Sequence, residues 1–158
     1  MPRAYQVTFS GVTVSAAQDL VQITGPSAGK IFRILRLWLG CGDTSLATGQ
    51  GLKLRARYLP ATVTVGSGGT TGITPSKKDA GDAACSSTTC ATNNTTQATT
   101  SGTAVALYAN GVHLYQGENF RFDNPPIVNP STAFVFELLG APSGTVTLSG
   151  GVEFEEIG

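Results

Sequence analysis

Apolar and polar side chains alternate with a period of two over most of this chain, and this pattern constrains the fold more than any other feature. Residues 52–59 alternate strictly. One face of that run carries Leu52, Leu54, Ala56 and Tyr58, and the other carries Lys53, Arg55 and Arg57. Successive side chains of a β-strand point to opposite faces of the sheet, whereas one face of a helix recurs about every 3.6 residues. The pattern therefore predicts half-buried β-strands.

The longest apolar run, Lys30 to Cys41, also has the length of a helix. We favour a strand because the run lacks an N-cap box and ends in Gly40-Cys41-Gly42, which suits a turn. Similar patterns along the chain indicate about eight to ten short strands separated by turn signals. The sequence therefore predicts an all-β protein, an antiparallel β-sandwich of jelly-roll type in a single domain spanning residues 1–158.

Residues 61–102 interrupt the pattern. The segment is rich in Thr, Gly and Ser, and no aromatic residue occurs between Tyr58 and Tyr108. A structureless loop of this length is uncommon inside a compact domain and tends to be functional or mobile. We expect an extended loop or arm, inserted between strands, that leaves the core and drapes over a surface. A disordered insertion is the alternative.

The dipeptide Asn110-Gly111 lies between alternating hydrophobic residues and predicts a two-residue hairpin turn, because both residues tolerate positive φ. Three ring-bearing side chains lie near it, namely Tyr108, His113 and Tyr115. They are the candidate residues for a shallow sugar-binding site, since aromatic rings there would have to be exposed. His113 is the single histidine of the chain.

The charge balance argues against two large classes of function. Ten Lys and Arg balance ten Asp and Glu, and charged residues make up 13% of the chain. Non-specific binding to nucleic acid depends on excess positive charge, so we expect no nucleic-acid partner. No run approaches the roughly 18 apolar residues of a membrane span, and the N-terminal residues do not resemble a signal peptide. We expect a protein with no membrane partner.

Motifs of catalysis are not evident in the sequence. A catalytic triad would need His113, and there is no phosphate-binding loop. Carboxylates are scattered, so a glycosidase pair has no support from spacing. The stretch from Asp79 to Asp82 lacks the alternating oxygen ligands of a calcium loop. We predict that the protein is not an enzyme and uses no cofactor or metal.

Three cysteines leave at least one without an intramolecular disulfide partner. Cys85 and Cys90 enclose four residues and could form a disulfide that stabilises the segment by about 2 kcal/mol. Free thiols are the alternative for a protein made in a reducing cytosol. Cys41 ends the apolar run and is interpreted as a small buried hydrophobic residue. A zinc site would need His113 as its fourth ligand.

Charged residues on strand faces are the candidate partner-binding residues. The set comprises Lys53, Arg55, Arg57, Glu153 and Glu155 on predicted strands, and Lys77 and Lys78 in the 61–102 segment. Arg33 and Arg36 form a similar pair. Such residues can pair across strands within one molecule, where each exposed pair contributes a few tenths of a kcal/mol. They can instead dock against a complementary partner and set its register.

Four stretches of the chain resemble those of one protein family. They are Pro2–Phe9, Val14–Leu20, Asn93–Thr96 leading into Gly102–Val105, and Val152–Gly158. Together they resemble the small all-β structural proteins of tailed bacteriophages, in particular capsid decoration, or cement, proteins. The resemblance implies a protein made in the host bacterial cytoplasm and located on the outer capsid surface of the virion. It also implies a dimer or trimer that stabilises the capsid by bridging major capsid protein subunits.

These expectations combine into a mechanism. The sandwich would supply rigidity, and residues 61–102 would drape over a neighbouring capsid subunit and order on binding. The alternative is a carbohydrate- or receptor-binding jelly-roll module of a virion tail or fibre. A glycosidase is a third hypothesis, and it requires a cleft with two converging carboxylates.

Overall fold

A computed structural model describes residues 2–42, 49–87 and 89–158 of the chain. These residues form β-strands, turns and irregular segments, and no helix among them could span a membrane. The fourteen strands are β1 (Arg3–Val14), β2 (Gln18–Thr24), β3 (Ile31–Cys41), β4 (Gly51–Leu59), β5 (Val63–Thr64), β6 (Thr70–Ile73), β7 (Ser76–Lys77), β8 (Cys90–Asn94), β9 (Thr99–Thr100), β10 (Val105–His113), β11 (Glu118–Arg121), β12 (Ile127–Val128), β13 (Ala133–Leu138) and β14 (Val146–Ile157). The predicted all-β class is confirmed.

Two antiparallel sheets contain most of the strands. Sheet A has the order β11-β3-β14-β1-β7, and β12 pairs with another part of β3. Sheet B has the order β10-β4-β13-β2-β8-β6. The predicted strand at residues 30–41 is confirmed as β3, and the strictly alternating run is confirmed as β4. The sandwich-like arrangement agrees with the prediction, while the jelly-roll connectivity stays a prediction.

The main core lies between the inner faces of the two sheets. Sheet A contributes alternate residues such as Tyr5 and Phe154, whose ring centroids are 5.9 Å apart. Sheet B contributes Phe134 and Phe136 to the same buried cluster. Alternation places every second side chain of a strand in this cluster, as a half-buried sheet requires. Packing of the two inner faces therefore explains the period-two pattern of the sequence.

Strand β13 departs from this pattern because both of its faces are buried. On the side away from the main core, Ala133 and Val135 belong to a second buried cluster with Leu59 and Ala98. Ala98 comes from the 61–102 segment, which also forms a small two-stranded sheet from β5 and β9. We call residues 61–102 the covering segment, since part of it buries the outer face of sheet B.

The expectation that residues 61–102 leave the core is therefore wrong. Strand β8 pairs with β2 in sheet B and all five of its residues are buried. Strand β7 pairs with β1 at the edge of sheet A. Cys85 and Cys90 belong to the main core. Small residues such as Thr, Ala and Cys fill this interior, so the lack of aromatic residues did not indicate an excursion.

The predicted hairpin turn at Asn110-Gly111 is also wrong. Both residues lie inside β10, paired with Leu54 and Lys53 of β4. Gly111 does not have a positive φ, and the chain instead turns just after β10, where Gly117 has a φ of 65°. Tertiary pairing with β4 overrides the local preference of the dipeptide.

Candidate functional site

Two carboxylates, Asp19 and Glu137, are neighbours on the outer face of sheet B. They are directly paired in the register between β2 and β13. Both side chains are fully buried, because the covering segment lies over this face. A buried charge is costly unless it is paired and hydrogen-bonded, so the partners of these acids decide whether the arrangement is stable.

Arg55 and Arg57 of β4 supply the compensating charge. Arg55 Nε donates a short hydrogen bond to Glu137 Oε1, and Arg57 Nε lies 3.0 Å from Glu137 Oε2. Gln97 of the covering segment donates to Glu137 Oε2 at 3.1 Å. The structure thus places these two candidate partner-binding residues in intramolecular ion pairs. Lys53 lies on the same face, at its exposed end.

Asp19 is held mainly by a backbone group. The amide nitrogen of Ala98 donates to Asp19 Oδ2 at 2.6 Å, and Arg57 Nη2 lies 3.9 Å from Oδ1. Burial raises the pKa of Asp19 to about 6, and the charge of Glu137 adds to the rise, while the Ala98 amide and Arg57 oppose it. A paired acid with a raised pKa is typical of catalytic sites. Here both acids lie beneath the covering segment, where they form a buried network with Arg55, Arg57 and Gln97.

The other charged candidate residues lie on or beside the outer face of sheet A, where solvent reaches them. Arg33 lies 3.7 Å from Glu155, and Lys78 lies 3.7 Å from Glu153. Lys77 donates to two backbone carbonyls of the neighbouring turn. All these candidate residues are half-buried or exposed. Their ion pairs are therefore weak, and their charged groups remain accessible to a partner.

Trp38 of β3 lies on the same face, next to the edge strand β11. A Cβ added to Gly151 of the neighbouring strand would lie 2.6 Å from Trp38 Cζ2, so the indole lies directly against that glycine. The guanidinium of Arg36 is 5.3 Å from the centroid of the indole, and Arg36 Nε donates to Asn119 Oδ1 at 2.7 Å. Trp38, Arg36 and Asn119 line an open cavity of about 490 Å³ together with Ser149.

A third cluster surrounds Glu156 at the end of sheet A. Its buried carboxylate accepts hydrogen bonds from the amide and hydroxyl of Ser86 and from Lys30 Nζ at 2.9 Å. Burial alone would raise the pKa of Glu156, but these partners outweigh it and hold the pKa below its ordinary value. The residues tie the covering segment to β14.

Of the two alternatives for Cys85 and Cys90, a disulfide or free thiols, the structure has the free thiols, and both are buried. Cys85 Sγ lies 4.0 Å from Glu156 Oε2. Burial raises the pKa of Cys85 to about 12, and the nearby Glu156 charge acts in the same direction. A thiol of this kind is unreactive because almost none of it ionises at neutral pH. Cys41 is a half-buried free thiol that packs against the core.

The aromatic residues near β10 are not equivalent. Tyr108 packs on Phe120 with ring centroids 4.2 Å apart, and its hydroxyl donates a short hydrogen bond to Glu118. Burial and this carboxylate raise the pKa of Tyr108 to about 12. His113 and Tyr115 are exposed, with ring centroids 5.5 Å apart. The rings of His113 and Tyr115 are therefore more accessible to a ligand than the half-buried ring of Tyr108.

Sequence reasoning missed the Asp19–Glu137 pair and the Trp38 cavity, although both left signals. Glu137 is the single charged residue of β13, and an acid inside an apolar run indicates a buried, paired charge. Gly150 and Gly151 interrupt an alternating strand, and glycine within a strand often marks a close approach by another group.

Within the described residues, no group of three or more His, Cys, Asp or Glu side chains could hold a metal ion.

Comparison with known proteins does not identify a family or a function for this chain. The chain matches no family model, no curated protein and no solved structure.

Proposed function

We propose that this protein is a structural virion protein that binds the outside of a phage capsid and stabilises it by bridging neighbouring major capsid subunits. The identity of the partner rests on the resemblance of four sequence stretches to capsid decoration proteins. The observation that carries the binding role is the contrast between the two outer sheet faces. The part of the outer face of sheet B that carries Asp19 and Glu137 is covered by the chain itself, whereas the outer face of sheet A is open and carries Trp38.

The outer face of sheet A has the properties of a protein-docking surface. Tryptophan, tyrosine and arginine are enriched among the residues that dominate binding energy, and Trp38 and Arg36 lie together on this face. Around them, the ion pairs Arg33–Glu155 and Lys78–Glu153 present both signs of charge. Complementary charges on a partner would fix the orientation of docking.

The architecture suits a bridging role because the face is rigid. It is built from β1, β14 and β3, and the first two are strands of twelve residues each. A rigid surface loses little conformational entropy on binding, so weak contacts to two subunits can add. The sequence had suggested that the covering segment contacts the partner. We now assign this contact to the outer face of sheet A.

Co-sedimentation with purified capsids that lack this protein tests the proposal. We expect saturable binding at a fixed ratio to capsid subunits. Trp38→Ala should weaken binding by at least about tenfold, as for a central interface residue, and Arg36→Glu should act in the same direction. Lys53→Glu is the matched control on sheet B and should bind normally. No sedimentation of the folded wild type with capsids would refute the capsid role.

A carbohydrate-binding role is the second candidate, and the Trp38 cavity favours it. An indole next to the side chains of Asn119 and Ser149 offers a stacking surface with nearby hydrogen-bonding groups for hydroxyls. Glycan-array binding that is lost in Trp38→Ala would support this function. Loss in Tyr115→Ala instead would assign the sugar to the exposed rings near β10.

A further inference from the structure

The edges of the two sheets differ in length. β7 and β12 contain two residues each, and β6 and β11 contain four. β10 contains nine residues and pairs only with β4 among the residues that the structure describes. A long edge strand presents a row of backbone N–H and C=O groups to which another strand can bind.

β10 also lacks the usual protection of an edge strand. Natural edges carry lysine or other charges, proline, or bulges that disrupt pairing. The sequence from Val105 to His113 contains no Lys, Arg, Asp, Glu or Pro. Its one irregularity lies between Ala106 and Tyr108, so the pairing with β4 is regular from Tyr108 to His113.

The hydrogen bonds show which groups point outward. The amide of Leu114 donates to the carbonyl of Gln50 at 2.8 Å, in register with the pairing of His113 and Gly51. Backbone groups in an antiparallel ladder alternate between the two sides of the strand. Val112 and Asn110 therefore bond to β4, and the residues between them direct their N–H and C=O groups to the free edge. Those residues are Ala109, Gly111 and His113.

Exposed apolar side chains flank this edge. Five large hydrophobic side chains in the described ranges are exposed, and two of them lie at the ends of β10. Val105 (48% exposed) begins the strand, and Tyr115 (52%) follows its end. A third, Leu139 (39%), lies across β4 from β10 and lines a cavity of about 380 Å³ with Ala109 and Gly111. A partner strand at this edge would bury part of that surface.

We propose that β10 pairs antiparallel with β10 of a second copy of this chain, which joins the two B sheets across a twofold axis near Gly111. In such an isologous contact each residue faces a residue of the same strand. A charged strand would bring like charges together, which is destabilising in a sheet, but β10 is uncharged and can pair with itself. With Gly111 opposite Gly111, Ala109 lies opposite His113.

Two variants test this interface without disturbing the pairing with β4. Ala109→Pro removes an N–H that points to the free edge, a place where strands accept proline. Gly111→Lys adds a charge where a Cβ has no atom within 4 Å, so the folded chain can accept the side chain. In the dimer it places two lysines opposite each other. Gly144→Lys is the matched control, because Gly144 is equally open and lies in a loop outside β10.

Light scattering over a concentration series, with circular dichroism to verify folding, gives the first readout. We expect a dimer for the wild type and for Gly144→Lys, and at least a tenfold weaker dimer for Gly111→Lys and Ala109→Pro. A wild type that stays monomeric at all concentrations overturns the proposal. A dimer that is unchanged in folded Gly111→Lys also overturns it and assigns the contact to another face.

Amide hydrogen exchange gives the second readout and contains its own control. In the dimer, the amides of Ala109, Gly111 and His113 should exchange at least tenfold more slowly than in the dilute monomer. The amides of Asn110 and Val112 should be protected in both states. Equal protection of all five in the monomer would show that the chain covers its own edge, which contradicts the proposal. The capsid assay is independent of these results, so each proposal can fail alone.

Discussion

The outer faces of the two sheets use the same residue types in opposite ways. On sheet B, Glu137 is fully buried and paired with Arg55 and Arg57 under the covering segment. On sheet A, Glu155 and Arg33 form a similar pair in adjacent strands, but both are partly exposed. The contrast shows that a charged residue on an alternating strand does not by itself mark a solvent face. What lies above the sheet decides its role.

The difference has a predictable energetic consequence. Water competes with an exposed ion pair and screens it, so the pair contributes between about 0 and 1 kcal/mol. A buried pair cannot exchange its partner for water, so the loss of one member leaves an uncompensated charge. The two faces should therefore respond very differently to the same substitution.

The largest expected effect is that of Glu137→Ala. The change leaves two arginines without their carboxylate and should lower the free energy of unfolding by about 3–5 kcal/mol. Urea denaturation followed by tryptophan fluorescence measures it. Glu153→Ala on sheet A is the control and should cost less than about 1 kcal/mol. Equal effects in the two variants would mean that the covering segment does not exclude water from sheet B.

The next effect is a pH dependence that belongs to Asp19. Its pKa is about 6 in the folded protein and 3.8 ordinarily, so between these values the folded state binds more protons than the unfolded state. Raising the pH from about 4 to 6 should therefore lower the stability that this group contributes, by a few kcal/mol. Asp19→Asn removes the dependence.

The measurement is the difference between wild type and Asp19→Asn at pH 4 and at pH 7. Taking the difference cancels the contribution of Glu156, whose lowered pKa has the opposite sign and reduces stability as the pH falls. We expect the free energy of unfolding of the wild type, relative to that of Asp19→Asn, to be higher at pH 4 than at pH 7. A difference that is constant with pH would show that Asp19 is accessible to solvent.

A smaller loss of stability should follow when a side chain is shortened in the second buried cluster, which contains Leu59, Ala98, Ala133 and Val135. Val135→Ala removes two methyl groups from the buried contact between β13 and the covering segment and should cost about 2 kcal/mol. Thr8→Ala, exposed on the outer face of sheet A, removes a similar volume and should change stability by less than about 0.5 kcal/mol. Thermal or urea unfolding of both variants gives the comparison. A loss below about 0.5 kcal/mol for Val135→Ala would mean that this cluster contributes little.

The smallest expected effect is the difference in coupling free energy between an exposed and a buried ion pair. A double-mutant cycle on Arg33 and Glu155 should give a coupling free energy of about 0–0.5 kcal/mol. The same cycle on Arg57 and Glu137 should exceed about 1 kcal/mol because these side chains are far less exposed. Similar coupling in the two pairs would contradict the contrast between the faces.

Local patterns were sufficient wherever one face of a strand meets the core. The alternation predicted β4, and the strand preferred for residues 30–41 is β3, although Gly40 and Cys41, which were expected to begin a turn, lie inside it. The predictions failed where long-range pairing dominates. Asn110-Gly111 favours a turn in isolation, but pairing with β4 holds both residues in a strand. Turn-like composition likewise concealed β8, whose burial depends on pairing with β2.

The sequence by itself determined the all-β class, because a period of two is a property of each strand and needs no knowledge of its neighbours. Only the tertiary structure decided which outer face is covered, which acid meets which arginine, and which strand is left at an edge. These features depend on contacts between residues far apart in the chain, such as Ala98 with Asp19. Burial of a polar group is set by what packs above it, and no local pattern contains that information.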